Sequence, residues 1–251
     1  MNARELVWEA HLQVMTMSSP APHRAVARFG PIVCNDFGVP HEWGLQASAG
    51  LSTPTEVDVI NALAWMRDRG AVHGWRATVP QSIEADSPWP GLTVIDTLPV
   101  FAVDTARVNA ISDGAPAGFA LDVDPSYEDV IAGYGGWMGD TALAELLVTP
   151  EDVERVDRRF VVAHLAGRAV GCAFVWFAGD TGYLSGIGVV EEFRGRGIGR
   201  TLTAVAARLG SRAPHGGPTE VVWMFATDEG AALYEHMGFE RIDTEVALTE
   251  R

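Results

Sequence analysis

Residues 191–210 read EEFRGRGIGRTLTAVAARLG, with glycine at 195, 197 and 199 and arginine at 194, 196 and 200. The preceding TGYLSGIGVV has the pattern of a strand. IGRTLTAVAARL has that of a helix, with Ile198, Leu202, Val205 and Leu209 on one face. The first turn of such a helix leaves backbone N–H groups unpaired. Those groups and the helix dipole favour an anion, by roughly 0.3–1 kcal/mol when exposed. Glycines remove the Cβ atoms that would hold phosphate oxygens off the backbone, and arginines add charge-assisted donors. The stretch has the chemistry of a diphosphate cradle.

Two nucleotide-binding patterns are excluded. A Walker loop needs GxxxxGK[ST], and the chain has no lysine. A dinucleotide fingerprint starting at Gly195 needs glycine at position 200, which is Arg200. The preceding strand also belongs to a meander: RRFVVAHL, AVGCAFVWF and TGYLSGIGVV are joined by the short turns AGR and GD. Beyond the glycine helix come a strand, EVVWMFAT, a short helix, DEGAALYEHM, closed by Gly238, and a last strand from Phe239.

In the first half, TPTE from Thr53 predicts a helix capped by Thr53 and ended by Gly70, its apolar face carrying Val57, Ile60, Leu63 and Ala64. WRATVP and GLTVIDTLPVFAVD read as strands and the linking QSIEADSPWPG as a loop. The pattern weakens between Thr105 and Pro125, which divides the chain into domains 1–106 and 107–251. Ser126 caps a helix through Tyr127 and Ile131 that GYGGW is expected to break, and TPED from Thr149 starts another helix. No tandem sequence repeat is visible. The fold class is α/β: a mixed, mostly antiparallel sheet flanked by helices, with a smaller α/β N-terminal domain.

The 251 residues are 47% hydrophobic and 20% charged, enough for a substantial core. No apolar run spans a bilayer and the N-terminus lacks a signal-peptide pattern, so a cytoplasmic protein without a membrane partner is expected. Cys34 and Cys172 lie far apart, outside any Cys/His cluster, and predict buried reduced thiols and no metal. A net charge of −15 argues against nucleic acid and is compatible with a cationic partner, or with solubility alone. All 18 basic residues are arginine, which fits codon bias in a GC-rich bacterial genome and carries no mechanism.

The order Arg194-x-x-Gly197-x-Gly199 after a strand ending in Val189 resembles the pyrophosphate motif of the GNAT superfamily of N-acetyltransferases. ALYEHMGFER, residues 232–241, resembles the family's later motif, a tyrosine on a short helix followed by Gly-Phe. The resemblance covers residues 107–251. It implies acetyl-coenzyme A as cosubstrate. Its pyrophosphate would lie on Arg194, Gly195, Arg196, Gly197, Ile198, Gly199 and Arg200, and its pantetheine arm along Ile187, Gly188 and Val189. It implies a thioester polarised by a backbone N–H near Val189 and a proton supplied to the leaving thiolate by Tyr234.

Two positions depart from the family pattern. The strand before the loop lacks the glutamate that serves many relatives as base. Glu191, Glu192, Glu145, His164, Asp228 or a relayed water remain as candidates. Thr227 stands where relatives often have asparagine; it can cap the next helix and is the expected pantetheine contact there. Tyr134 and Trp137 lie on segments that line the acceptor side in relatives. The first half loosely suggests a degenerate second acetyltransferase half or a lid, and Trp43, Trp65, Trp75 and Trp89 read as core or interface. Three functions fit: acetylation of a small-molecule amine, which is favoured; protein N-acetylation; and a non-catalytic acyl-coenzyme-A-binding module. A homodimer is an admissible assembly.

Overall fold

A computed structural model describes residues 2–17, 24–39, 41, 44–70, 74–84, 89, 91–112 and 118–250. The chain's contacts gather it into two units: Met1–Val100 with Ala226–Asp228 and Arg241–Arg251, and Phe101–Phe225 with Glu229–Glu240. The first change of unit falls inside a strand, a few residues before the boundary expected near 107. No helix among the described residues is long and apolar enough to cross a membrane.

The first unit opens with α1 (Ala3–Thr16), held by a capping box: Asn2 accepts from the Glu5 N–H and the Glu5 carboxylate from the Asn2 N–H. An antiparallel meander follows, β1 (Ala25–Phe29), β2 (Ile32–Asp36) and β3 (Leu45–Ser48). Then come α2 (Glu56–Gly70), β4 (Arg76–Pro80) parallel to β3, a single turn α3 (Gln81–Glu84), and β5 (Thr93–Asp104), whose last residues belong to the second unit. The chain's final strand, β11 (Glu240–Thr249), lies antiparallel to β4.

Period-2 alternation splits this sheet into two faces. One carries Cys34, Ala47, Ala77, Val79, Val246 and Leu248 against Val59, Ala62, Leu63 and Met66 of α2, with Trp75 and Trp89 in the same core and Trp65 at its margin. The other buries Asn35, Ser48, Arg76, Thr78 and Glu245, and α1 reaches it through His11 and through the Met15 carbonyl that accepts from the Asn35 amide.

Two expectations for α2 are corrected. The helix starts after Thr55, whose hydroxyl accepts from the Asp58 N–H at 3.2 Å while the Asp58 carboxylate accepts from the Thr55 N–H at 2.9 Å. The buried face is that of Val59 and Met66, and Val57 and Ile60 are 64% and 56% exposed. The apolar residues of this segment populate two faces, and packing chose the one that continues through Ala62 and Met66. The link after β4 begins with α3 rather than as a loop; Trp43 lies outside the described residues.

The second unit contains α4 (Thr105–Val108), β6 (Phe119–Asp122), α5 (Tyr127–Met138), α6 (Thr141–Leu147) and α7 (Pro150–Glu154). The predicted meander follows as β7 (Arg158–Leu165), β8 (Arg168–Ala178) and β9 (Thr181–Val189), all antiparallel, with β6 added beside β7. Next are α8 (Ile198–Gly210), β10 (Val221–Phe225) parallel to β9, and α9 (Asp228–His236). The sheet is mixed, mostly antiparallel and flanked by helices, as expected.

Here GYGGW does not break the helix. α5 runs on to Met138 and ends at Gly139 in the left-handed region. Gly133 and Gly135 permit close approach instead: a Cβ would come to 3.1 Å from the Gly171 carbonyl oxygen and 2.8 Å from the Thr141 Cα. On α8, Ile198 and Leu202 are buried as expected, whereas Val205 and Leu209 are half-buried and Ala204, Ala206 and Ala207 complete the buried face. Asp152 caps α7 and forms a fully buried ion pair with Arg158, whose guanidinium lies 3.8 Å over the Trp176 ring. Both cysteines are buried free thiols.

Each unit therefore repeats one order: antiparallel meander, helix, parallel strand, helix. The repeat is structural and leaves no sequence signature.

Candidate active site

The candidate site lies where β9 outruns its parallel neighbour β10, which ends at Phe225. β9 and β10 pair from Thr181 with Val221 to Leu184 with Met224, and β9 then continues for five more residues. On its other side β9 stays paired with β8, through a bulge where Gly186 takes φ +57°. The Val190 N–H donates to the Val170 carbonyl at 2.9 Å, toward β8. Backbone groups alternate sides along a strand, so the N–H and carbonyl of Val189 face the side that β10 has left. Arg194 fixes that carbonyl, its Nε donating to it at 3.1 Å.

A single 3-10 turn (Glu191–Phe193) carries the chain from β9 to the glycines. Gly195 and Gly197 take φ of +74° and +82°, in the region L side chains rarely adopt. Gly197 is the N-cap of α8 and offers no side-chain cap, and the first turn of α8 holds no acidic residue. Its first amides thus have no side-chain cap. Gly199 sits over Val189, where a Cβ would be 3.7 Å from Val189 Cγ2. Arg196 and Arg200 are exposed, each giving one bond to a backbone carbonyl, of Glu192 at 3.3 Å and Ser112 at 3.2 Å. A guanidinium has five N–H donors, so the three arginines keep most of theirs. Glu192 is engaged by Arg168 at 2.5 Å, which leaves the turn with a surplus of positive charge.

The expected residues on β9, the turn and the start of α8 are therefore contiguous. Ile198 is the exception in kind: its side chain is 1% exposed and belongs to the core, so only its backbone faces the turn. Tyr234 lies on α9, its ring 6.2 Å from both Phe101 and Phe239 and packed across Gly230. Burial pushes its hydroxyl up to about 12, so it is protonated throughout the neutral range. Among the described residues that hydroxyl makes no hydrogen bond. Thr227 is exposed and immediately precedes α9. Glu145, Glu191 and Asp228 are exposed.

The sequence reading missed two features. Gly186 and Gly188 clear one face of β9, and aromatic rings occupy it: Phe174 over Gly186 and Trp137 over Gly188. The alternation Gly-x-Gly within a strand was its legible signal. Asp122, Asp129 and His164 also bring ligand atoms within 4.8 Å of one another, a grouping that sequence spacing does not reveal. Asp129 there shares the N-cap of α5 with Ser126, and Asp122 accepts from the Asp124 N–H.

The free edge of β9 thus leads into an uncapped, arginine-flanked helix start, an arrangement with donors for an extended anion. The family model of the acetyltransferase (GNAT) domain matches residues 156–241. Among solved structures it resembles a GCN5-related N-acetyltransferase from Kribbella flavida at 23% identity and TM-score 0.75, covering 100% of this chain and 96% of that one. It also resembles a tandem GNAT protein from the clavulanic acid biosynthesis pathway, at 16% identity and TM-score 0.63, covering 98% and 93%. A GCN5-related N-acetyltransferase-like protein from Streptococcus suis follows at 13% and 0.59, covering 99% and 98%. No curated protein matches the chain.

Proposed function

We propose that the protein transfers the acetyl group of acetyl-coenzyme A to the primary amine of a small molecule. The observation that carries this reading is the unpaired edge of β9 running directly into the uncapped start of α8. The donors suit the cosubstrate. The amides of residues 195–199 with Arg194, Arg196 and Arg200 would hold the pyrophosphate. The open edge of Ile187, Gly188 and Val189 would pair with the amide-bearing pantetheine arm.

The cosubstrate supplies an acyl group activated as a thioester, and the protein supplies the rest. The Val189 N–H polarises the carbonyl and strengthens as negative charge develops on its oxygen. Tyr234 is the proton donor to the departing thiolate. The buried hydroxyl stays protonated throughout the neutral range, so it stands as a hydrogen-bond donor to the sulfur as negative charge develops there and the carbon–sulfur bond breaks. The amine arrives protonated, and removing that proton from an alkylamine at pH 7 costs roughly 4–5 kcal/mol. Residues 181–189 hold no carboxylate, and a relayed water is the route proposed for this step. The net charge of −15 favours cationic acceptors electrostatically.

The test is a thiol-release assay with acetyl-coenzyme A and a panel of small amines and peptides, beside calorimetric binding of the coenzyme. Release with a small amine is expected. Release with peptides alone would move the acceptor to protein, and binding without release with any amine would leave a non-catalytic module. Tyr234→Phe is expected to lower kcat by about 10²-fold with the coenzyme Kd unchanged; unchanged turnover removes Tyr234 from the reaction.

A further inference from the structure

Trp137 occupies a position that only glycine beneath it permits. A Cβ at Gly188 would lie 2.0 to 2.3 Å from Cδ2, Cγ and Cε2 of its indole. The ring therefore rests flat on β9, one residue before the Val189 N–H that faces the open edge. It is held from several directions. Tyr134 stacks on it at 5.6 Å and 27°, and Tyr134 in turn meets Phe174 edge-on at 4.7 Å, with Phe174 seated over Gly186. The helix that carries it is clamped to its neighbours through Gly133 and Gly135, and a Cβ on Gly136 would lie 3.2 Å from Val190 Cγ2.

Trp137 is nonetheless only half-buried, and among the described residues its indole N–H makes no hydrogen bond. A large aromatic surface, stacked by Tyr134 and seated on Gly188, thus stands one residue from Val189 with no hydrogen bond at its polar end. Consecutive Cα atoms are about 3.8 Å apart, so the indole over Gly188 is the side-chain surface next along the strand from the Val189 N–H. The opposite face of β9 at that point is filled by the Val189 side chain under Gly199. An acyl tail on a carbonyl held by that N–H would have the Val189 side chain on one face of the strand and the indole on the other.

Resting on the acetyl-transfer reading, we propose that Trp137 is the specificity-determining residue for acyl length, the wall that admits two carbons and excludes four. One methylene more or less in such a pocket is worth roughly 10–200-fold. The test compares the calorimetric affinities of coenzyme A, acetyl-coenzyme A and butyryl-coenzyme A for the wild type, Trp137→Ala and the milder Trp137→Phe. The wild type is expected to bind the acetyl form at least about tenfold more tightly than the butyryl form. Trp137→Ala is expected to bring the two within about twofold and Trp137→Phe to fall between, with plain coenzyme A bound equally by all three. Equal wild-type affinity for both acyl forms, or a preference unaltered in both variants, overturns the assignment while leaving coenzyme binding intact. Failure of the wild type to bind plain coenzyme A overturns the underlying reading instead. A change in plain coenzyme A affinity that accompanies the lost preference overturns the wall as well, because the ring would then be shaping the whole site. If Trp137→Ala does not fold, Trp137→Phe carries the comparison alone.

Discussion

The junction of β3 with α2 and the junction of β9 with α8 occupy the same topological position in the two units, and they are finished in opposite ways. β3 is short, and its last residue, Ser48, still pairs with Thr78 of β4. Its hydroxyl also donates to the Thr78 carbonyl at 3.1 Å. Beyond it, a Cβ on Gly50 would lie 3.2 Å from Leu12 of α1. α2 is capped by its own Thr55 and Asp58 and carries Glu56 and Asp58 in its first turn. β9 outruns its partner, and α8 starts on a glycine between arginines. One corner pairs its strand to the end and caps its helix; the other has a free strand edge and an uncapped helix start. The difference lies in a few residues at one strand–helix corner and not in the fold.

The largest expected effect tests the internal satisfaction of the first unit. Burial pushes Glu245 up to about 7, against the pull of Arg76 and Thr78 on β4, with Asp96 of β5 adding repulsion. His11 of α1 stands 3.9 Å away, its pKa lowered by burial to about 4. The folded state keeps the Glu245 proton that the unfolded chain releases, so this stabilisation is complete below pH 4.5 and lost as pH rises through about 7. The loss amounts to about 3 kcal/mol. His11 acts oppositely, losing stability as pH falls from 6.5 to about 4, and is common to wild type and variant. Glu245→Gln is therefore expected to gain on the wild type by that amount between pH 5 and pH 8 in denaturant titrations. A constant difference across pH would mean that the carboxylate is matched in the fold.

Gly197→Asp transplants the first unit's solution into the second. An aspartate at the N-cap would accept from the first-turn amides and oppose an incoming anion, while tolerating the left-handed backbone better than most residues. Coenzyme affinity is expected to fall about 100-fold, combining a lost charge-assisted contact with repulsion. Circular dichroism should show the fold intact. Retained binding would dismiss the helix start as the phosphate site and, with it, the contrast between the junctions. Arg200→Ala, removing one donor set, is expected to cost about tenfold and to flatten the salt dependence of binding. Calorimetry of the wild type should give one coenzyme per chain, and two would show that the first junction binds as well.

The visible parts of this contrast are those that local chemistry dictates. The glycine turn and the meander follow from residue types at fixed spacing, and Tyr234 is singled out through the resemblance of residues 232–241 to a family motif. The free edge at the end of β9 does not follow in this way, since pairing stops where β10 ends at Phe225 and no residue of β9 announces it. GYGGW has the composition of a breaker, yet tertiary contacts with Gly171 and Thr141 make its glycines packing residues. In α2, apolar residues on two faces left the choice to the sheet. β6 escaped notice because it is short and lies in turn-rich sequence. Arg194, expected to face phosphate, also braces the Val189 carbonyl, a role visible only once the turn's conformation is known.

The smallest expected effect completes the comparison from the other side. Thr55→Ala removes the hydroxyl that caps α2 and should lower stability by about 1 kcal/mol, read as a shift in denaturant midpoint with unchanged m value. It exposes an amide at a helix start that still carries Glu56 and Asp58, in a corner closed by α1, with no strand edge beside it. The coenzyme stoichiometry and affinity should therefore stay as in the wild type. Uncapping alone does not make an anion site; it must coincide with an open edge and a basic turn. A second coenzyme bound by Thr55→Ala would show that capping was the only barrier, and that the two corners differ by a single hydroxyl rather than by architecture.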